Sequence, residues 1–234
     1  MIVYGRNPVR EALRGRRRVL RAWASEGAAR ESWPEGLELR QASPAELAEL
    51  CGSDEHQGVC AEAEPYPYAD ADLLLEPEDA LVVCLDQVQD PHNLGAVCRV
   101  AEAAGAAGVV IPERRAAEIT PAVCRASAGA VEHLPVARVR NLADWLSAAK
   151  ERGAWTYGAE AAAAVPYDRP DYRGRVVLVL GSEGRGLRPR VAAACDERVS
   201  LPVRGRVGSL NVSTAAAALL YGILQLRGRL DRAP

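Results

Sequence analysis

Arg175-Val-Val-Leu-Val-Leu-Gly-Ser-Glu-Gly-Arg-Gly-Leu-Arg188 is the stretch whose reading decides the fold. Five consecutive apolar residues, Val176 to Leu180, predict a strand buried on both faces, and three glycines in the next six positions bend the chain sharply where that strand ends. Open α/β sheets place their ligands at that end. A second stretch, Val199-Ser-Leu-Pro-Val-Arg-Gly-Arg-Val-Gly-Ser-Leu-Asn-Val-Ser-Thr214, follows the same plan. It reads as a short strand, a loop with Gly205 and Gly208, then Ser209 and Asn211 as alternative caps for an alanine-rich helix to about Arg227. Two such loops in one domain predict one shared site.

A chain of 234 residues has room for one domain of about 150 residues and a smaller companion. Its 49% hydrophobic and 26% charged content excludes a disordered chain. No apolar run approaches the roughly 18 residues that cross a bilayer and no secretory leader pattern is present, so a cytoplasmic protein without a membrane partner is expected. The cysteines at 51, 60, 84, 98, 124 and 195 show no C-x-x-C spacing and read as reduced thiols. With no H-E-x-x-H and no Cys/His cluster, no metal is expected.

Net charge is only −2, but its distribution is uneven: seven arginines fall in the first 21 residues against one acid, Glu11. A helix and the turn after it carry most of them, which predicts a phosphate-binding surface formed by Arg6, Arg10, Arg14, Arg16, Arg17 and Arg18. In this region Asn7 as cap, Pro8 and Gly15 bound a two-turn helix, Val19 to Ala24 reads as a strand, and a turn region runs to Gly36. Leu37 to Arg40 is strand-like, Ser43-Pro-Ala-Glu46 opens a helix with a capping box, and His56 sits in a polar turn before the strand Val59 to Ala63. Residues 1–65 are thus expected to form a small α/β domain. Residues 66–79, acidic, proline-containing and without a base, read as a linker.

Residues 80–234 are expected to form a three-layer α/β/α domain with a mostly parallel sheet. Ala80 to Asp86 is an apolar strand closed by an acid; a polar loop follows, then Asn93 as cap of the helix Leu94 to Ala104, with Arg99 on its second turn. Strands at 108–111, 131–139 and 155–157 alternate with helices from Thr120-Pro121 and from Asn141. Glycine loops at strand ends suit a nucleotide-like ligand, whose polar edges bare backbone can reach. Neither G-x-G-x-x-G nor G-x-x-x-x-G-K-S/T is present, which counts against a dinucleotide or ATP.

Asp90-Pro-His-Asn-Leu-Gly-Ala-Val-Cys-Arg99, Gly181-Ser-Glu-Gly-Arg-Gly-Leu187 and Leu201-Pro-Val with Ser209-Leu-Asn-Val-Ser213 resemble, in order and spacing, the three motifs of the SpoU-like (TrmH/RlmB type) branch of the SPOUT RNA methyltransferases. Tyr4-Gly-Arg-Asn-Pro-Val-Arg-Glu-Ala-Leu13 and Glu55-His-Gln-Gly-Val59 resemble the L30e/L7Ae-like substrate-binding domain that accompanies enzymes methylating a guanosine ribose in 23S ribosomal RNA. The resemblance implies a homodimer, a C-terminal deep trefoil knot and S-adenosylmethionine as methyl donor. By carry-over, Leu180, Gly181, Glu183, Gly184, Leu201, Pro202, Leu210, Asn211 and Ser213 would hold the donor. Asn93, Arg99, Glu183, Ser209 and Asn211 would face the reacting ribose, and His56 would join the RNA-binding arginines.

A guanidinium stays protonated near neutrality, so Arg99 is read as gripping the phosphate beside the target ribose and not as a simple base. Asn93, Asn211 and Ser209 read equally as plain helix caps. Gly222 departs from the family pattern, where glutamate is common. A transfer-RNA target and a catalytically silent RNA-binding protein of the same fold are the alternatives; a small-molecule nucleotide enzyme is disfavoured by the basic surface.

Overall fold

The computed structural model describes residues 1–34, 38–206 and 208–228. Its first domain is built on strands β1 (Ile2–Tyr4), β2 (Val19–Ala24), β3 (Leu39–Gln41) and β4 (Val59–Ala63), with helices α1 (Arg6–Arg14), α2 (Glu26–Ala29) and α3 (Pro44–Cys51). The strand order is β1-β4-β2-β3, antiparallel except for the β2–β3 pair. Ser43 and Glu46 form the expected capping box, and the bonds from Ser43 hold the Glu46 carboxyl below its usual range. Asn7 does not cap α1: the helix begins at Arg6 after Gly5, two residues earlier than expected, which puts Asn7 inside its first turn. Ser25 caps the short helix α2 in what reads as a turn region, and Leu37 lies outside the described residues.

The second domain runs β5 (Leu81–Asp86), α4 (Pro91–Ala103), β6 (Gly108–Pro112), α5 (Pro121–Ala126), β7 (Val136–Val139), α6 (Leu142–Glu151), β8 (Trp155–Ala159), β9 (Val165–Pro166), β10 (Val176–Gly181), α7 (Pro189–Ala194), β11 (Glu197–Ser200) and α8 (Val212–Leu226). Its strands lie in the order β7-β6-β5-β10-β8-β11-β9, every pair parallel. Alternation along the central strands divides two cores. Leu81, Val83, Leu85, Val176, Leu178 and Leu180 face one layer with α4, α5 and α8; Val82, Cys84, Val177 and Val179 face the other with α6 and α7. No helix among the described residues is long and apolar enough to cross a membrane.

Two expectations are corrected here. Asp90, not Asn93, caps α4, because the helix starts at Pro91. Residues 130–132 form a single 3-10 turn, so the strand after it is only Val136–Val139. At Gly222 the Tyr167 ring lies against α8: a Cβ there would sit 2.4 Å from the ring's Cε2.

The acidic segment 66–79 is strapped to the second domain along its length. The Tyr66 hydroxyl meets the carbonyls of Val131 and Leu134, each at 3.0 Å, the Tyr68 hydroxyl accepts from Ile119 N at 2.8 Å, and Ala69 bridges to Ala137 beside β7. Further on, Asp72 accepts from Trp145 Nε1 at 3.2 Å and from Arg152 at 2.6 Å. Arg17 then locks the first domain to the second. Its guanidinium reaches both oxygens of Glu132, at 2.9 and 2.6 Å, and donates to Glu64 O at 3.0 Å. The two side chains are 2% and 1% exposed, and they sit in a core that runs unbroken from Val3 and Ala12 to Cys124 and Val131. Burial lowers the pKa of Arg17, but the bonds to Glu132 outweigh it and the net shift is upward, so the pair stays ionic.

Removing one member of such a pair strands a buried charge. Arg17→Ala or Glu132→Ala is expected to cost about 3–5 kcal/mol of stability by urea unfolding, with the Arg17→Met/Glu132→Leu double variant recovering much of it. A loss below about 1 kcal/mol in both single variants would contradict the buried seam.

Candidate active site

Two constraints shape the loop after β10. At its start, Gly181 pairs in register with Asp86 of β5, and a Cβ on Gly181 would fall 2.2 Å from the carbonyl carbon of Gly186, so only glycine lets the loop close on itself. Gly186 N donates to Ser182 O at 2.9 Å across this turn. At its end, the Asp86 carboxylate, fully buried, accepts from Arg188 N at 2.8 Å and Arg188 Nε at 2.7 Å. A buried carboxylate needs such partners, and among the described residues it is the segment leaving the glycine loop that supplies them. Neither Asp86 nor Arg188 is among the site residues expected from sequence; an acid closing an apolar strand was the visible signal.

The loop forms one wall of a cleft of about 450 Å³. Leu180, Gly181, Glu183, Gly184, Leu201, Ser209 and Leu210 are among its lining residues. Val199, Val203, Ala215 and Leu219 add apolar surface that the motifs did not point to. Pro202, Asn211 and Ser213 lie outside the lining. A second, polar cleft of about 320 Å³ opens beside it between Gln87, Gln89, Asp90, Asn93, Glu183 and Arg185. Ser182, Glu183, Arg185 and Val212 border both.

At the join of the two clefts, three segments far apart in sequence meet through side chains. Because Asp90 takes the capping role, accepting from His92 N at 3.0 Å, the Asn93 amide is free; its Nδ2 donates to Glu183 Oε1 at 3.1 Å. Asn211 caps α8 by accepting from Ser213 N at 2.8 Å. Its Nδ2 donates to Asn93 Oδ1 at 2.9 Å and to Glu183 Oε1. Ser213 also bonds Asn211 Oδ1 through its hydroxyl, so it orients the asparagine. Ser209 makes no capping bond and is exposed. Arg99 is exposed on α4, six residues past Asn93, and lines neither cleft. His92 is exposed, with only its backbone engaged at the cap.

On the first domain, Arg14, Arg16 and Arg18 are exposed, each with a nearby partner: Glu11 at 3.1 Å, His133 O at 2.6 Å and Glu64 at 3.3 Å. Such surface contacts are weak and exchangeable for phosphate. Arg6 and Arg10 share Glu31, at 3.0 and 2.6 Å, and Arg10 also lies over the Trp33 ring. Two residues leave the expected RNA face. Arg17 is consumed by Glu132, and His56 is buried with its Nδ1 accepting from Gly58 N at 3.0 Å. Among the described residues no cluster of His, Cys, Asp or Glu could hold a metal ion, and Cys60, Cys84, Cys98 and Cys124 are buried free thiols. Burial pushes Cys98 and Cys124 up to about 12, which leaves them unreactive near neutral pH.

A parallel sheet with glycine-walled clefts at the C-terminal ends of its middle strands, joined to a small domain with an exposed basic face, is an architecture that can serve a transferase, and comparison with known proteins gives the class. The sequence model of the SpoU rRNA Methylase family matches residues 80–221, and that for RNA 2'-O ribose methyltransferase substrate binding matches residues 2–69. YacO of Bacillus subtilis, in the TrmH family of tRNA/rRNA methyltransferases, is 39% identical over 237 residues, covering 96% of this chain and 95% of its own. The SpoU methyltransferase AviRb of Streptomyces viridochromogenes, solved with AdoMet, superposes with a TM-score of 0.82 at 28% identity over 98% of this chain and 90% of AviRb. An AdoMet-bound rRNA methyltransferase of Sinorhizobium meliloti gives 0.79 at 25% identity over 96% and 86%. The chain belongs to the SpoU rRNA methylase family and is an RNA methyltransferase that uses S-adenosylmethionine.

The apolar cleft fits that donor: its walls are mainly apolar, and the loop that forms one of them closes only because Gly181 lets the backbone of Gly186 approach. Gly181→Ala is therefore expected to abolish S-adenosylmethionine binding in calorimetry while far-UV circular dichroism stays native. Binding within twofold of the unaltered protein would disprove the close approach.

Proposed function

We propose that this protein methylates the 2'-oxygen of a guanosine ribose in 23S ribosomal RNA, working as a homodimer whose C-terminal chain forms a trefoil knot. The observation that carries the reading is the Asn93–Glu183–Asn211 cluster, in which one residue from each motif meets where a donor cleft and a polar cleft join. The match of residues 2–69 to a ribose-methyltransferase substrate-binding domain supports the ribose and favours a large structured RNA over a transfer RNA. The exposed Leu210, Tyr221 and Leu226 on and before α8 support a subunit interface there.

S-adenosylmethionine supplies a methyl group already activated by a sulfonium charge, so the protein's tasks are alignment and proton removal. Leu180, Gly181, Gly184, Leu201 and Leu210 would hold the donor, with Pro202 and Ser213 supporting the loops around it. Both asparagine amides use Oε1 of Glu183, leaving Oε2 to accept the hydrogen of the ribose 2'-hydroxyl and orient its oxygen toward the methyl group. Ser209 would bond the incoming ribose. Arg99 would grip the phosphate on one side of that ribose through two parallel N–H bonds, and Arg6, Arg10, Arg14, Arg16 and Arg18 would hold more distant phosphates.

Mapping 2'-O-methylation across the RNA of cells with and without the gene is expected to show one guanosine of 23S ribosomal RNA losing its mark. A lost mark in transfer RNA alone would establish the alternative substrate, and unchanged RNA would refute the activity. Arg99→Lys should lower kcat at least tenfold, about 1.4 kcal/mol of transition-state stabilisation, with S-adenosylmethionine affinity unchanged. Near-normal turnover would remove the two-bond grip.

A further inference from the structure

A ribose in an RNA chain lies between two phosphates, and the polar cleft is poorly suited to that charge except at one residue. Asp90 and Glu183 put carboxylates on its walls, and the neighbouring apolar cleft adds Glu160. Among the described residues lining either cavity, Arg185 is the sole cation, and it lines both. It forms no hydrogen bond or ion pair with another described residue, whereas Arg188, three residues on, is committed to Asp86. Arg185 is also exposed, so a ligand can reach it without displacing protein.

We infer that Arg185 is a second phosphate grip, taking the phosphodiester on the opposite side of the target ribose from the one assigned to Arg99. The inference rests on the RNA-methylation reading above and adds a residue to it. A guanidinium offers two parallel N–H donors to two non-bridging oxygens, and an anion held at the border of both clefts fixes the adjoining ribose at their junction. Arg185 therefore positions the 2'-oxygen as well as adding affinity, and its loss should reach kcat as well as KM. The rival role for a cation there is to bind the carboxylate of the donor's methionine portion, which would make it a cofactor residue.

Arg185→Ala and Arg185→Lys separate the two roles, with an unmodified large-subunit ribosomal RNA transcript as first probe and unfractionated transfer RNA as second. In calorimetry both variants should bind S-adenosylmethionine within about twofold of the unaltered protein. Arg185→Ala should lower kcat/KM for the RNA roughly 10- to 100-fold, with part of the loss in kcat. It should also flatten the slope of log affinity against log salt by about 0.7, one phosphate contact on a single strand. Arg185→Lys should restore the slope but not the full kcat, because an ammonium is a point charge. A parallel fall in S-adenosylmethionine affinity, or an unchanged salt slope in Arg185→Ala, would overturn the assignment. The slope requires no turnover, so it tests Arg185 even if the unaltered protein methylates neither RNA, a result that would instead overturn the function proposed above.

Discussion

Everything at the site depends on how a single buried carboxylate is neutralised. Asp86 ends β5 without access to water, and leaving it unpaired would cost several kcal/mol. Arg188 answers it with a backbone and a side-chain donor, and this requires the chain leaving β10 to turn back within a few residues. The glycine at 181 is the steric counterpart of that electrostatic demand, since the returning backbone passes where any other side chain would begin. Once the loop is closed, Glu183 projects from it toward the N-terminal ends of α4 and α8, where Asn93 and Asn211 meet it.

Much of this was legible because local chemistry and tertiary role agree. Val176–Leu180 is apolar throughout because its alternate residues serve two cores, and Asn141 and Ser43 cap helices whose bounds follow from them. The misreadings share one cause. Asn7 and Asn93 have the side chains of caps, but Gly5 and Asp90 take the position two and three residues earlier. For Asn93 the displacement matters, since inside the helix both ends of its amide serve tertiary partners, Nδ2 donating to Glu183 and Oδ1 accepting from Asn211. What no local pattern could reveal is long-range pairing. Arg17 looks like its neighbours in an arginine run, and its partner Glu132 is 115 residues away.

The arginine run illustrates how composition misleads at the level of single residues. As a group it remains basic and mostly exposed, which is what a phosphate-binding face requires. Arg17 belongs to the interior, and the acidic segment 66–79 belongs to the second domain's surface, held by tyrosine hydroxyls and Asp72. A stretch with the composition of a tether behaves as a strap because two tyrosine hydroxyls and the Asp72 carboxylate anchor it at separate points.

That seam has a bearing on which RNAs can serve. A domain swinging on a loose tether would let an enzyme sample sites at many separations from the element it grasps. Here the first domain is bolted down through Arg17 and a continuous core, so the span from the exposed arginines to the glycine-walled cleft is a built-in length. The molecule would work as a fixed caliper, selecting its nucleotide as much by distance from a docking feature as by the identity of the base.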